Sequence, residues 1–142
     1  MKSYKFQDLS IGQKESFEVT LEQRHMDLFL QVSEDTNPLH TNLEYAKGCG
    51  FENLVAYGLL TTSFYSKLIG VYLPGKYSLL HGVDVSFLKP VFVGDKLLVE
   101  GKIDYINEAY RQIEIQANIF KESGGGGYIR VSKAKIKVGV LQ

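Results

Sequence analysis

A single cysteine, Cys49, is the only thiol in this chain of 142 residues. One thiol excludes an internal disulfide framework and suits a reducing compartment. A nucleophilic cysteine needs a nearby base and an electropositive setting. Gly48, Gly50 and Phe51 supply neither, so Cys49 is expected to pack. Excess charge of one sign is missing as well: 16 Lys and Arg balance 16 Asp and Glu. No general electrostatic attraction then draws the chain to nucleic acid or an anionic membrane. Three scattered histidines and one cysteine make no metal-ligand cluster. No stretch is long and apolar enough to span a bilayer. The start, Met1-Lys2-Ser3-Tyr4-Lys5-Phe6, has no apolar core of a secretory signal. The expectation is a cytoplasmic protein without nucleic-acid or membrane partners.

At 44% hydrophobic residues the chain can bury one core. Neither a repeat nor a linker divides it, so residues 1–142 read as one domain. Phe17 and Val19 alternate with Ser16, Glu18 and Thr20, which predicts a first strand. Met26, Phe29, Leu30 and Val32 then recur at helical spacing, predicting an amphipathic helix over about Leu21–Val32. His25 lies on it among polar neighbours and reads as a solvated surface residue. Leu43–Lys47 predicts one or two helical turns, stopped by Gly48 and Gly50. From Tyr57 to Tyr72 the apolar content is nearly continuous, so this helix is expected to be wrapped on all sides.

The second half changes period. Val83, Val85 and Phe87; Val99, Ile103 and Tyr105; and Ile113, Ile115, Ala117 and Ile119 each alternate with polar residues. Lys133, Lys135 and Lys137 alternate with Ala134, Ile136 and Val138, as on a solvated sheet face. Period two with one polar face predicts antiparallel strands covered on one side. Val93-Gly94-Asp95, Asn107-Glu108-Ala109 and Ser123–Gly127 have lengths that suit hairpins. The fold class is α+β: a helix wrapped by one antiparallel sheet.

The chemistry-bearing stretch is Ser33-Glu34-Asp35-Thr36-Asn37-Pro38-Leu39-His40. Pro38 has no backbone N–H and drives Asn37 out of the α region, so the run cannot be continuous helix. Asp35 and His40 therefore stand on two arms of a bend and can converge on one water molecule. Taken singly, Asp35 reads equally as a turn cap and His40 as a structural histidine. Asn37 reads as a loop-shaping residue. Gly58 opens the apolar helix, whose first N–H groups lack intrahelical acceptors and suit developing negative charge.

These residues carry a resemblance. Val32–His40, Tyr57-Gly58-Leu59-Leu60, Leu73-Pro74-Gly75 and Phe87-Leu88-Lys89-Pro90-Val91-Phe92-Val93-Gly94-Asp95 resemble the MaoC-type (R)-specific enoyl-CoA hydratases, in order and spacing. The resemblance runs from about Leu9 to the end. It implies the hotdog fold, a long helix cradled by a curved antiparallel sheet, and a homodimer joined through sheet edges. It also implies reversible hydration of a 2-enoyl thioester of coenzyme A or acyl carrier protein, without metal or other cofactor. Asp35 and His40 would activate the water, and the Gly58 N–H would hold the thioester oxygen. Asn37, Tyr57 and Ser66 join the list as substrate-side residues. Tyr57 is a departure, since family members commonly carry histidine there, and it puts substrate choice in question. Two rivals stand beside this reading: a hotdog acyl-CoA thioesterase, and a non-catalytic acyl-thioester-binding subunit of the same fold. Thioesterases of this fold, like the dehydratases of fatty-acid synthesis, place an acid on the central helix. Gly58–Tyr72 contains none.

Overall fold

A computed structural model describes residues 1–142. Strand β1 (Lys14–Thr20) leads into helix α1 (Gln23–Ser33), the short turns α2 (Pro38–Thr41) and α3 (Leu43–Gly48), and the central helix α4 (Gly58–Lys67). Four strands complete the chain: β2 (Ser78–Phe87), β3 (Lys96–Asn107), β4 (Gln112–Glu122) and β5 (Tyr128–Val140). With β1 they form one five-stranded antiparallel sheet in the order β1-β3-β4-β5-β2. The hotdog arrangement is present.

Side-chain size along the sheet explains how the helix is seated. Gly101, Ala117 and Ala134 face one another across β3, β4 and β5. A Cβ at Gly101 would lie 2.8 Å from Leu68 and 2.9 Å from Ile115, so this row of small residues opens a furrow for the end of the helix. Beside it, Ile103, Ile115 and Ile136 pair across the same strands and are fully buried. Burying each such side chain contributes roughly 1.5–3 kcal/mol. Tyr65 of α4 lies over the sheet with its hydroxyl 2.9 Å from Ser132 Oγ, and burial pushes its phenol up to about 12.

Several expectations need correction. The apolar helix stops at Lys67 and continues as a π-helical turn, Leu68–Tyr72. It is not wrapped on all sides either. The sheet covers one flank, while Leu59 is 65% exposed and Ser63 and Ser66 are exposed. Val83 and Phe87 of β2 are likewise uncovered, because β2 is an edge strand that pairs only with β5. Val93-Gly94-Asp95 joins no hairpin, since β2 and β3 are not neighbours. There Asp95 Oδ2 accepts the Phe92 N–H at 2.9 Å, while the Leu21 N–H reaches the Asp95 carbonyl and the Leu21 carbonyl accepts the Gly94 N–H. Tyr105 does not share the inward face of Ile103, because a bulge between them shifts the register and hands that face to Ile106. Cys49 is exposed rather than packed, since it caps α3 with its N–H on Tyr45 and Ala46 carbonyls. His25 is half-buried, not solvated: Nδ1 accepts the Glu22 N–H at 2.9 Å and the ring stands edge-on to Phe64.

Candidate active site

The arm that carries Asp35 and His40 is shaped by local hydrogen bonds. Helix α1 ends where Glu34 turns left-handed, with φ of +56°. Asp35 Oδ1 accepts the Asn37 N–H at 3.1 Å, an Asx turn that reverses the chain. Asn37 Oδ1 in turn accepts the Leu39 N–H at 2.9 Å and caps α2, with Pro38 in its first turn. Thr41 Oγ1 ties the far end of α2 back to the Asn37 carbonyl. The expected bend is there, and Asn37 is its builder.

Three longer-range bonds fix that arm on the fold, one of them the Val55 N–H on the Leu39 carbonyl at 3.2 Å. His40 Nδ1 lies 2.6 Å from the Val55 carbonyl. A carbonyl only accepts, so Nδ1 carries the proton and Nε2 of the neutral ring keeps its lone pair. The Tyr57 hydroxyl donates to the Asp35 carbonyl at 2.8 Å. The Tyr57 ring is buried, 4.1 Å from the His40 ring and 4.8 Å from Phe29, between centroids. Burial first, and then the charges of Asp35 and Asp27, push the Tyr57 phenol above its ordinary value, so it stays a donor. Tyr57 was expected to be a substrate-side residue. Its position is that of a pillar under both Asp35 and His40.

Tyr57 is also the residue before the first turn of α4. It offers no side-chain cap, so the Gly58 N–H and the next N–H groups have no intrahelical acceptor. A Cβ on Gly58 would come within 3.0 Å of the Phe87 ring, which shows how closely that aromatic lies against the helix tip.

His40 and Gly58 line one cavity of about 520 Å³, together with Val55, Leu59, Phe87 and Val131. Asp35 and Asn37 do not line it. They lie exposed on the adjoining arm, with the Asp35 carbonyl tied to Tyr57, which stands between the cavity-lining Ala56 and Gly58. Ser66 is elsewhere: it borders a second cavity of about 220 Å³ with Thr62, Ile69, Leu80 and Val83. Leu59 lines both, so the two run along one uncovered flank of α4. Sequence reasoning gave no role to Phe87, Lys89 or Val131, although the first two sit inside a segment that it singled out.

What this arrangement offers is an imidazole and the open amide donors of the α4 tip on one largely apolar cavity, with a carboxylate on the adjoining arm. Such a set fits proton transfer at a carbon next to a carbonyl whose oxygen gains charge. The comparisons with known proteins agree with that. Residues 6–122 match the family described as MaoC like domain. The chain is 35% identical over 118 residues to an (R)-specific enoyl-CoA hydratase of Aeromonas caviae, covering 83% of this chain and 88% of that one. It superposes on a solved (R)-hydratase from A. caviae with a TM-score of 0.85 at 32% identity, covering 94% of this chain and 98% of that one. An R-hydratase from Pseudomonas aeruginosa gives a TM-score of 0.87 at 26% identity, covering 97% and 86% respectively. By family match, sequence relatives and fold alike, the chain belongs to the MaoC-like domain family.

Proposed function

We propose that this site adds water across the C2–C3 double bond of a 2-enoyl thioester, giving the (R)-3-hydroxyacyl thioester, and catalyses the reverse dehydration. The chain is a hydro-lyase, in keeping with its named relatives. The observation that carries the reading is the pairing of two things in one cavity. One is His40, with its tautomer set by Val55; the other is the uncapped start of α4 at Gly58.

The steps follow from those groups. A water held by Asp35 and the Nε2 of His40 gives its proton to this pair while its oxygen bonds C3. The electron pair of the double bond moves toward the thioester carbonyl, and the enolate oxygen is met by the Gly58 N–H. One such donor contributes on the order of 3 kcal/mol. C2 then takes a proton from the same pair, so one water is consumed and both side chains end as they began. Phe87, Leu59 and Val131 give that cavity its apolar lining.

The substrate arrives as a thioester of coenzyme A or of acyl carrier protein, and the working unit is a homodimer. Leu79, Leu80, Val83, Phe87 and Leu88 are all exposed on or beside edge strand β2, next to exposed Leu59. An unpaired edge with that much apolar surface favours a second copy. Sedimentation at twice the chain mass is the expected result.

The deciding experiment follows loss of the enoyl chromophore with crotonyl-CoA and longer 2-enoyl-CoAs, then resolves the product on a chiral column. Turnover to the (R) alcohol is expected. An (S) product, or no hydration at any chain length, would sink the proposal.

A further inference from the structure

Apart from the His40 imidazole, every side chain lining the larger cavity is apolar or non-ionisable except one. Among Phe51, Thr61, Phe87, Val131 and their neighbours stands a single ammonium, that of Lys89. It is exposed, and none of the four ion pairs of the chain involves it. The nearby Lys121 makes the contrast. Its Nζ bonds the Pro90 carbonyl at 2.9 Å and lies 3.5 Å from Asp95, so its charge is already used in holding the segment. Lys89 has no such employment.

Its backbone, moreover, is fixed. The N–H groups of Leu88 and Lys89 both reach the Val131 carbonyl, at 2.8 and 3.3 Å. Two residues on, the Val91 carbonyl accepts the Ala56 N–H at 2.8 Å, and Phe92 bridges Val55. Pro90 locks the dihedral between these clamps. The ammonium thus swings from a rigid base on the same segment that walls the His40 cavity.

We infer that Lys89 binds a phosphate of the thioester's carrier arm and so sets the end of the cavity by which that arm enters. This rests on the hydratase reading above. An apolar hollow suits the acyl group and the neutral arm. A lone unpaired cation on its lining has a partner only in an anion, and both coenzyme A and acyl carrier protein attach their thioester through a phosphorylated arm. An ammonium binds phosphate as a point charge, without demanding a single geometry. Because Lys89 is exposed, its effect is moderate and weakens with salt.

The test compares crotonyl thioesters of pantetheine, 4′-phosphopantetheine and coenzyme A on wild type, K89Q and K89R. For K89Q, kcat/KM on the coenzyme A thioester is expected to fall roughly fivefold to tenfold more than on the pantetheine thioester. The fall should sit in KM, shrink at high salt and be largely restored in K89R. A loss already full with phosphopantetheine assigns the lysine to the phosphate shared by both carriers. A loss seen with coenzyme A alone assigns it to the nucleotide phosphates. Equal losses on all three thioesters overturn the inference. Equilibrium binding of coenzyme A against pantetheine, to wild type and K89Q, decides the same point without turnover. A wild type that hydrates nothing but binds coenzyme A through Lys89 would remove the hydratase reading and leave this one.

Discussion

The arm from Ser33 to Thr41 and the strands β3, β4 and β5 are held together by opposite means. Most of the arm is exposed, and its bonds join residues two to five apart, save for three ties, two to Val55 and one to Tyr57. The strands bury Ile103, Ile113, Ile115, Ile119 and Ile136 completely, and their partners come from distant sequence. On the proposed reading the chemistry lies on the part that contributes little to stability, and the part that carries the stability reaches the cavity only through Val131 of β5. A substitution in one region should therefore move activity alone, and one in the other should move stability alone.

Asp35→Asn is the strongest trial of that separation. Asparagine keeps an oxygen for the Asn37 N–H, so the Asx turn survives while the carboxylate is lost. Turnover should fall by roughly 10²–10⁴-fold, the range for a positioned proton-transfer group. The unfolding free energy should change by no more than about 0.5 kcal/mol, as for surface changes. Near wild-type turnover would take Asp35 out of the mechanism.

Ile115→Ala tests the other side. The side chain is fully buried between Ile103 and Ile136, so its loss should cost about 2–5 kcal/mol in urea unfolding. Per folded molecule, kcat should stay within about twofold of wild type, because distant sites act independently. A parallel collapse of kcat and stability would show that the core does more than support.

The same contrast explains what could be read from the sequence. Asn37 was legible because capping is a transaction between neighbours, and the β4 face was legible because every second residue meets the same covered side. Tyr105 was not, since a bulge adds a residue without any mark in the alternation. Val83 and Phe87 showed a correct face, but a pattern cannot say whether that face is covered. Val93-Gly94-Asp95 has hairpin chemistry, yet which strands neighbour each other is decided by the whole sheet. His25 failed for a related reason: its contact with Phe64 comes from a residue far away in sequence. At the site, Asp35, His40 and Gly58 came as a motif. The pillar role of Tyr57 depends on a partner 22 residues away and left no local trace.

Tyr57→Phe sits on the boundary between the two regions. It removes the hydroxyl that holds the Asp35 carbonyl but keeps the ring against His40 and Phe29. A single part-buried hydrogen bond is worth about 1 kcal/mol, which sets the expected loss of stability. If the bond also positions the carboxylate, kcat should drop by roughly fivefold to tenfold with KM little changed. A stability loss with unaltered kcat would make Tyr57 a core residue and no more.

The smallest effect concerns His25, where the helix that feeds the arm touches the helix of the core. Its Nδ1 accepts the Glu22 N–H, and its ring meets Phe64 of α4. A protonated Nδ1 becomes a donor and cannot accept that bond. Burial, and then the charge of Arg24, hold the imidazole below its ordinary value of 6.5, against an opposing pull from Glu22. Above that value both folded and unfolded chains carry neutral His25, and its contribution is whole. As the pH falls below 6.5 the unfolded chain takes up the proton first, so the contribution is lost progressively until the folded state is protonated too. Urea midpoints measured from about pH 7.5 to 5.5 should therefore decline more steeply for wild type than for His25→Gln, which keeps a side-chain acceptor without the titration. Equal slopes would place α1 on the arm's side of the comparison, attached to the core by packing and not by this histidine.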